Sequence, residues 1–323
     1  MKKLITYAFG TLLCLTVVLP QKAWAETLLI PVGQVVGLEI GDKSVTVAAF
    51  DDILGVDARQ AGLEIGDEIL EIDGRTIDSA ADVRAALNRS DGGVDLLVAR
   101  RGEEKAIALS PRITEEGPKL GVYLRCGVTG IGTVTFYDPE SGAFGTLGHG
   151  VSNSKGELVN LTQGRVYGAS VLSVKKGMAG DPGQLRGALQ PEAVLGTLFA
   201  NTVQGVFGRI ENGWEGEALP AADHEDVRTG SAVIRSTVSG DRVQEYSVEI
   251  LKIYPEDRSD GRNLLLKVTD PALLQATGGI VQGMSGSPII QDGRLIGAVT
   301  HVLVNSPDTG YGIFIENMLE AAQ

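Results

Sequence analysis

Two short glycine-flanked segments carry the side chains best suited to nucleophilic catalysis. Ser285 lies in the sequence G-M-S-G-S-P of Gly283–Pro288, and His149 lies in T-L-G-H-G of Thr146–Gly150. Glycine adopts backbone angles that other residues resist, so such a turn can expose a serine and bring main-chain N–H groups close to a substrate carbonyl. An imidazole within reach of this serine could act as its general base. The N–H groups of Gly283 and Ser285 are the candidate oxyanion hole.

The residues that follow Ser285 predict a β-hairpin. Pro288 is followed by two isoleucines, by a Gln-Asp-Gly turn at 291–293 and by the apolar run 295–299. Two apolar runs around such a turn are typical of paired strands. A serine followed by a hairpin whose second strand can pair with a peptide is the layout of the second barrel of chymotrypsin-like proteases. A structural alternative stays open, because glycine-serine turns also connect strands that have no catalytic role.

The chain contains three histidines, and their contexts rank them as candidate bases. His149 ends a strand-like run between glycines, which favours it as the base. His301 ends the run 298–300 and could line the substrate cleft, although a histidine on an apolar strand is more often a core residue. His224 lies in the acidic loop 221–226 and is predicted to be a solvated surface group.

A carboxylate that orients the histidine is the third requirement of a catalytic triad. Asp270 precedes Ser285 in the chain and is followed directly by Pro271. The same pair is also a good helix start, with aspartate as the N-cap and proline at the first helical position. Asp138 and Asp181 are rival candidates, and spacing does not separate a cap from a catalyst.

Taken together, these motifs resemble the stage IV sporulation protein B (SpoIVB) peptidase family, a group of serine peptidases with a chymotrypsin-like fold. The segments that carry the resemblance are V-T-D-P at 268–271, T-G-G-I-V-Q-G-M-S-G-S-P-I-I-Q at 277–291, G-A-V-T-H-V at 297–302, G-T-L-G-H at 145–149 and G-Y-G-I at 310–313. The resemblance implies His149 as base, Asp270 as orienting acid and Ser285 as nucleophile. It also implies a mainly β chain with a chymotrypsin-like double β-barrel.

The same resemblance implies a biological role in endospore formation. Such a peptidase would act in the space between the forespore and mother-cell membranes. Its protein substrate would be a regulatory membrane protein of a sporulation protease complex. The cleavage would help to activate an intramembrane metalloprotease and the processing of a late sigma factor. Self-cleavage near the N-terminus is implied as well.

A second unit precedes the peptidase segment. Its sequence A-G-L-E-I-G-D-E-I-L-E-I-D-G at 61–74 combines turn glycines with apolar positions, and Ser79 is predicted to cap a helix at 80–88. This unit resembles a PDZ domain (an α+β fold), which binds an extended peptide as an added strand. A domain that only packs against the peptidase is the alternative. The residues that align by type with the PDZ carboxylate-binding loop, and would bind peptide C-termini, are Val35, Val36, Gly37 and Leu38.

The predicted organisation has four parts. Residues 1–25 form a signal peptide or signal anchor, because two lysines precede a short apolar run and Ala23-Trp24-Ala25 fits the cleavage rule. Residues 26–32 are a linker, residues 33–112 the PDZ domain and residues 113–323 the peptidase domain. We therefore expect an exported protein that associates with the membrane through its N-terminal segment.

Composition narrows the partners and cofactors. The chain of 323 residues has a formal net charge of −13, which argues against nucleic acid as a partner. Its 43 glycines and 5% aromatic residues fit a β-rich protein with many turns. The sequence contains neither a cysteine–histidine cluster nor a phosphate-binding loop, so no metal and no other cofactor is predicted.

Two other functions stay open beside the peptidase. A non-catalytic scaffold would use the PDZ domain to bind peptides, but the intact Ser285 and His149 argue against it. A general quality-control protease would also combine the two domains. The order of the domains counts against that function, because such enzymes usually carry the protease first.

Overall fold

The computed structural model describes residues 27–153, 156–255 and 261–323, and the predicted signal segment at 1–25 lies outside them. The described residues form a mainly β structure, as predicted. Within these ranges no helix is long and apolar enough to cross a membrane.

The strands and helices follow one another along the whole chain. The strands of the first part are β1 (Leu28–Pro31), β2 (Val35–Phe50), β3 (Glu68–Ile72), β4 (Arg75–Thr76), β5 (Val94–Arg100), β6 (Glu103–Leu109), β7 (Arg112–Thr114), β8 (Gly117–Lys119), β9 (Val122–Tyr137), β10 (Ala143–Thr146), β11 (Gln163–Lys175), β12 (Gln184–Thr202) and β13 (Gly205–Ile210). The remaining strands are β14 (Leu219–Pro220), β15 (Gly230–Ser236), β16 (Gln244–Ile253), β17 (Leu264–Val268), β18 (Pro288–Gln291), β19 (Arg294–Leu303) and β20 (Ser306–Phe314). The helices are α1 (Val56–Gln60), α2 (Ala80–Leu87), α3 (Pro271–Thr277) and α4 (Ile315–Ala321).

Six antiparallel strands close into a first barrel. Strand β9 pairs with β10, β10 with β13, β13 with β12, β12 with β11, β11 with β2, and β2 returns to β9. Its core includes the fully buried side chains of Phe144, Val166 and Val206. Closure leaves this sheet without a free edge along the ring.

The second barrel is closed by β15, β16, β17, β20, β19 and β18 in that order. Its core includes the fully buried Ile234, Leu266, Ile289 and Val299. Strands β18 and β19 form the hairpin that the sequence predicts after Ser285. The prediction of a double β-barrel is therefore confirmed.

The unit predicted to be a PDZ domain packs helices α1 and α2 against strands β3, β5 and β6 around its own apolar core. Helix α2 presents Val83 and Leu87 to that core, as their spacing predicts. The Oγ of Ser79 accepts a hydrogen bond from the N–H of Asp82 at 3.2 Å, which confirms the predicted cap.

Two long strands run through both the PDZ domain and the first barrel. The first half of β2, Val35–Ile40, pairs with Val128–Thr133 of β9 inside the barrel. The second half, Val45–Phe50, pairs with Val122–Cys126 inside the PDZ domain. The two units therefore share continuous backbone ladders instead of a flexible connection.

Two predictions near the N-terminus are wrong. The predicted linker at 26–32 contributes strand β1, which pairs with β14 and β9. The predicted carboxylate-binding loop at Val35, Val36, Gly37 and Leu38 is part of strand β2, which lies between β9 and β11. Both edges of this segment are paired, and Val35 and Val36 are fully buried, so its N–H groups are not available to a peptide C-terminus.

Candidate active site

Ser285 is presented by a turn whose backbone requires glycine on both sides. Gly283 has a φ of +99° and Gly286 a φ of +95°, in the region that other residues rarely adopt. A Cβ at Gly286 would also lie 1.9 Å from the carbonyl oxygen of Thr133 in the first barrel. The turn can therefore contact the first barrel only because position 286 has no side chain.

Strand β9 of the first barrel holds the serine turn by three hydrogen bonds. The Oγ1 of Thr133 donates to the carbonyl of Gly283 at 2.8 Å, and its N–H donates to the carbonyl of Ser285 at 3.0 Å. The Oγ1 of Thr135 donates to the carbonyl of Gly286 at 2.8 Å. Both threonines are fully buried, so these bonds fix the turn in a water-excluded place.

His149 follows strand β10 after two residues with left-handed backbone. Leu147 has a φ of +68° and Gly148 a φ of +66°. A Cβ at Gly148 would lie 2.9 Å from Cγ2 of Thr300 in the second barrel, so glycine lets the chain approach β19 closely. The side chain of Asn201 then fixes the next segment, because its Oδ1 accepts from the N–H of Val151 and its Nδ2 donates to the carbonyl of Val151.

Ser285 and His149 face the same cavity between the barrels. The cavity has a volume of about 420 Å³. The first barrel contributes Ile131, Leu147, His149 and Val151 to its lining, and the second contributes Ile280, Val281, Gln282, Gly283, Ser285, Thr300, His301 and Val302. The structure thus brings together the predicted nucleophile, the predicted base and the first-ranked alternative histidine.

The environment of His149 suits a general base. Its Nδ1 lies 2.9 Å from the carbonyl oxygen of Gly150, which can only accept a hydrogen bond, so Nδ1 carries the proton and Nε2 keeps its lone pair. Burial lowers the pKa of His149, and the Gly150 carbonyl opposes this shift only in part. His149 is therefore neutral at pH 7. The ring of His301, the other histidine of the cavity, lies 5.2 Å from the His149 ring, centroid to centroid.

Ser285 is not yet bonded to its candidate base in this structure. Its Oγ donates to the carbonyl oxygen of Thr300 at 2.8 Å. Within the described residues, the N–H groups of Gly283 and Ser285 have no hydrogen-bond acceptor, so both can receive a ligand oxygen. The Ser285 hydroxyl must leave the Thr300 carbonyl before His149 could take its proton.

Asp270 lies away from this cavity and caps helix α3. Its carboxylate accepts hydrogen bonds from the N–H groups of Ala272 at 2.9 Å and Leu273 at 3.0 Å. The N–H of Ser247 lies 3.4 Å from its other oxygen. The helix-cap interpretation of Asp270 is confirmed, and the structure shows no contact between this carboxylate and His149 in the described part of the chain.

The rival carboxylates lie elsewhere too. Asp138 accepts hydrogen bonds from the N–H of Glu140 and the Oγ of Ser141 in the turn between β9 and β10. Asp181 forms an ion pair with Lys175 at 2.7 Å in the β11–β12 hairpin. Neither residue lines the cavity of Ser285.

His224 has a structural role instead of being fully solvated. It is half-buried, and its Nδ1 lies 2.8 Å from Oε2 of Glu316 in helix α4 and 3.2 Å from Oδ1 of Asp223. These three side chains could in geometry hold a metal ion. The hydrogen bonds of His224 to Glu316 account for the arrangement without one, and this cluster lies outside the candidate active site.

Sequence reasoning missed the backbone groups that engage the two reactive side chains. The carbonyls of Thr300 and Gly150 hold Ser285 and His149, and the buried Thr133 joins the serine turn to β9. A carbonyl leaves no signature in residue type. Only the spatial approach of β19 and β9 to the serine turn reveals these contacts.

Comparisons with known proteins agree with this arrangement. A family model described as SpoIVB peptidase S55 matches residues 116–319, and a PDZ domain model matches residues 58–100. No curated protein matches the chain.

Crystal structures of the Rv3671c protease from M. tuberculosis are also similar. The inactive form has 16% identity and a TM-score of 0.34, with 60% of this chain and 82% of that chain covered. The active form has 16% identity and a TM-score of 0.35, with 60% and 73% covered. The family assignment depends on the sequence matches alone.

Proposed function

We propose that this chain, a serine peptidase that belongs to the SpoIVB peptidase S55 family, is an endopeptidase with Ser285 as nucleophile and His149 as general base. The observation that carries this assignment is the single cavity that both residues face from opposite barrels. The low pKa and the Nδ1-protonated form of His149 support its role, because a base must offer a free Nε2 at neutral pH.

The reaction would begin when the Ser285 hydroxyl leaves the Thr300 carbonyl and donates to Nε2 of His149. Oγ attacks the scissile carbonyl carbon while Nε2 takes the hydroxyl proton. The resulting oxyanion accepts hydrogen bonds from the N–H groups of Gly283 and Ser285, each worth about 3 kcal/mol of barrier lowering. His149 then protonates the leaving amine, and water hydrolyses the acyl-enzyme in a second round of the same proton transfers.

The substrate would bind as an added strand along β19. The pairing of β18 with β19 ends at Ala298, whereas β20 pairs with the other edge of β19 as far as Leu303. The next residue, Val299, is still hydrogen-bonded to Gly286 and Ser287 of the serine turn. In the described structure, the edge of β19 that faces the cavity without a partner strand therefore begins at Thr300. An extended peptide can form main-chain hydrogen bonds with such an edge, which places a scissile bond inside a chain next to Ser285.

For its biological role, we propose that the enzyme acts outside the cytoplasm during endospore formation. Family membership supports a regulatory membrane protein of a sporulation protease complex as the substrate, and self-cleavage near the N-terminus. The lysine-led apolar segment at 1–25 supports export and membrane association. The PDZ domain supports recognition of peptides, at a surface other than residues 35–38.

The test is the intact mass of the purified chain after treatment with a fluorophosphonate that reacts with activated serines. We expect one adduct on the wild type and none on Ser285→Ala. Ser231→Ala is the matched control, because Ser231 is an exposed serine of β15 outside the cavity, and it should label like the wild type. Peptide hydrolysis should fall by about 10⁴-fold or more in Ser285→Ala. An unlabelled wild type would contradict the nucleophile and favour a peptide-binding scaffold.

A further inference from the structure

We infer that this peptidase selects an apolar, uncharged side chain at the residue that supplies the scissile carbonyl, the acyl-side residue of the substrate. The inference rests on the proposed function of Ser285, because that role fixes where the scissile carbonyl lies. It goes beyond that role by naming the class of peptide bond that the enzyme cleaves.

Two anchors fix the position of the acyl-side residue. Its carbonyl oxygen must lie near the N–H groups of Gly283 and Ser285, and its backbone must run along the open edge of β19 at Thr300–Val302. We place its side chain against the wall formed by Ile280 and Val281, two cavity-lining residues that precede Gly283 and Ser285 in the chain.

The wall is apolar and rigid. Ile280 is 2% exposed and Val281 is 1% exposed, and both belong to the core of the second barrel. The N–H of Ile280 donates to the carbonyl of Pro307 at 2.8 Å, and its Cδ1 fits against Gly310, where a Cβ would lie only 2.6 Å away. Because both residues are packed into the barrel core, displacing them to hydrate a charged group would cost packing energy.

The remaining lining offers no ionic partner. Val302 lies at the β19 side, and Ile131, Leu147 and Val151 lie on the first-barrel side. Among the lining residues that the structure describes, none is aspartate, glutamate, lysine or arginine, and the exposed Gln282 is neutral. The two titratable side chains are His149 and His301. A lysine or glutamate side chain entering here would lose its hydration without gaining a counter-charge.

Peptides that differ only at the acyl-side residue test this inference. We expect kcat/KM for leucine or valine to exceed that for lysine, arginine or glutamate by about 100-fold or more, since a buried charge is left unpaired. The second-order rate of adduct formation with peptidyl phosphonates of the same series should show the same order. The rates of adduct formation with the phosphonates report the preference for the acyl-side residue even when hydrolysis of short peptides is slow.

A charge placed in the wall should change the preference. Val302→Asp puts a carboxylate on the half-buried cavity side of β19, so the ratio of lysine to leucine peptides should rise by at least tenfold over the wild type. Val304→Asp is the matched control, because Val304 is exposed and lies outside the cavity. It should leave the ratio unchanged. Fluorophosphonate labelling of both variants verifies that they are folded.

The outcomes separate the inference from the proposed function. Labelling of Ser285 together with equal rates for charged and apolar peptides would overturn the apolar preference and leave the nucleophile in place. An unchanged ratio in a labelled Val302→Asp would also overturn it. Absence of any adduct, with every probe, would overturn the nucleophile and this inference with it.

Discussion

The two barrels contribute to the candidate site in different ways. The second barrel closes on its own six strands and carries Ser285 on a turn between α3 and β18. The first barrel carries His149, and two of its six strands, β2 and β9, continue into the PDZ domain. The proposed nucleophile thus belongs to a self-contained unit, and the proposed base belongs to a unit that is continuous with the PDZ domain.

Because of this difference, a change in the PDZ domain would affect the two proposed catalytic residues unequally. A displacement of the PDZ domain would act on the first barrel through paired backbone and so on the position of His149. The serine turn would be affected through its contacts with the first barrel. These include the three hydrogen bonds from Thr133 and Thr135 of β9 and the backbone pairing of Gln282, just before the turn, with the start of β12. Substitutions at the junction between the barrels should therefore affect the serine turn most strongly.

The largest effect is expected from Gly286→Ala at that junction. The new Cβ would lie 1.9 Å from the Thr133 carbonyl oxygen, at a φ that alanine resists, so the serine turn must leave β9. We expect a loss of roughly 3 kcal/mol or more in the free energy of unfolding and loss of peptidase activity. Chemical denaturation and peptide hydrolysis measure both.

Gly293→Ala is the control for Gly286→Ala. Gly293 also has a positive φ, of +75°, in the turn of the β18–β19 hairpin that follows the serine turn, but a Cβ there would meet nothing within 4 Å. Its cost should be limited to backbone strain of about 1 kcal/mol, with activity retained. Equal losses in the two variants would mean that contact between the barrels does not matter for the turn.

An effect of intermediate size is expected from pH, and it concerns the first barrel, which carries His149. Because burial lowers the pKa of His149 below 6.5, the neutral base persists to lower pH, and kcat/KM should fall only below about pH 6.5. As the pH falls, this histidine is protonated in the unfolded chain at a higher pH than in the folded chain. The free energy of unfolding should therefore decrease as the pH falls from 6.5 toward the folded pKa.

The pH–rate profile and denaturation between pH 5 and 7 test this prediction. In His149→Gln, the part of the pH dependence of the free energy of unfolding that arises from the His149 imidazole should disappear. An acid limb above pH 6.5 would contradict the prediction, because it would require a carboxylate that stabilises the imidazolium.

The smallest effect is expected from Asp270→Asn in the second barrel. Asparagine caps a helix about as well as aspartate, so the free energy of unfolding should change by less than about 0.5 kcal/mol. Because the Asp270 carboxylate contacts the start of α3 and not the cavity, kcat/KM should stay within a few-fold of the wild type. A loss near 10⁴-fold at unchanged stability would restore the orienting role that the family resemblance implies. Steady-state kinetics beside thermal unfolding separates the two.

Local features were predictable from the sequence. The turn around Ser285, the hairpin after it, the cap at Ser79 and the cap at Asp270 each depend on residues a few positions apart. Propensity and periodicity act over that range. The SpoIVB-type motifs also predicted the double barrel, because a resemblance over long motifs implies the fold of the family and with it the pairing of distant strands.

Long-range pairing was not predictable. Val35–Leu38 looks like a glycine-containing binding loop in isolation, but its conformation is decided by β9 and β11, which come much later in the chain. The hydroxyl of Ser285 donates to the backbone carbonyl of Thr300 in β19, and residue types do not predict a contact with a backbone group. Asp270 satisfied both a cap and a catalytic pattern, and only the contacts of its carboxylate distinguish between them.

The sharing of β2 between two units also constrains the order in which the chain can fold. Strand β2 is made early, yet its partners in the barrel end only at Tyr137 and Lys175. A nascent chain must therefore keep an apolar strand unpaired until those segments emerge, and closing such long loops slows folding. We expect this exposed strand to be the segment most in need of a holding chaperone.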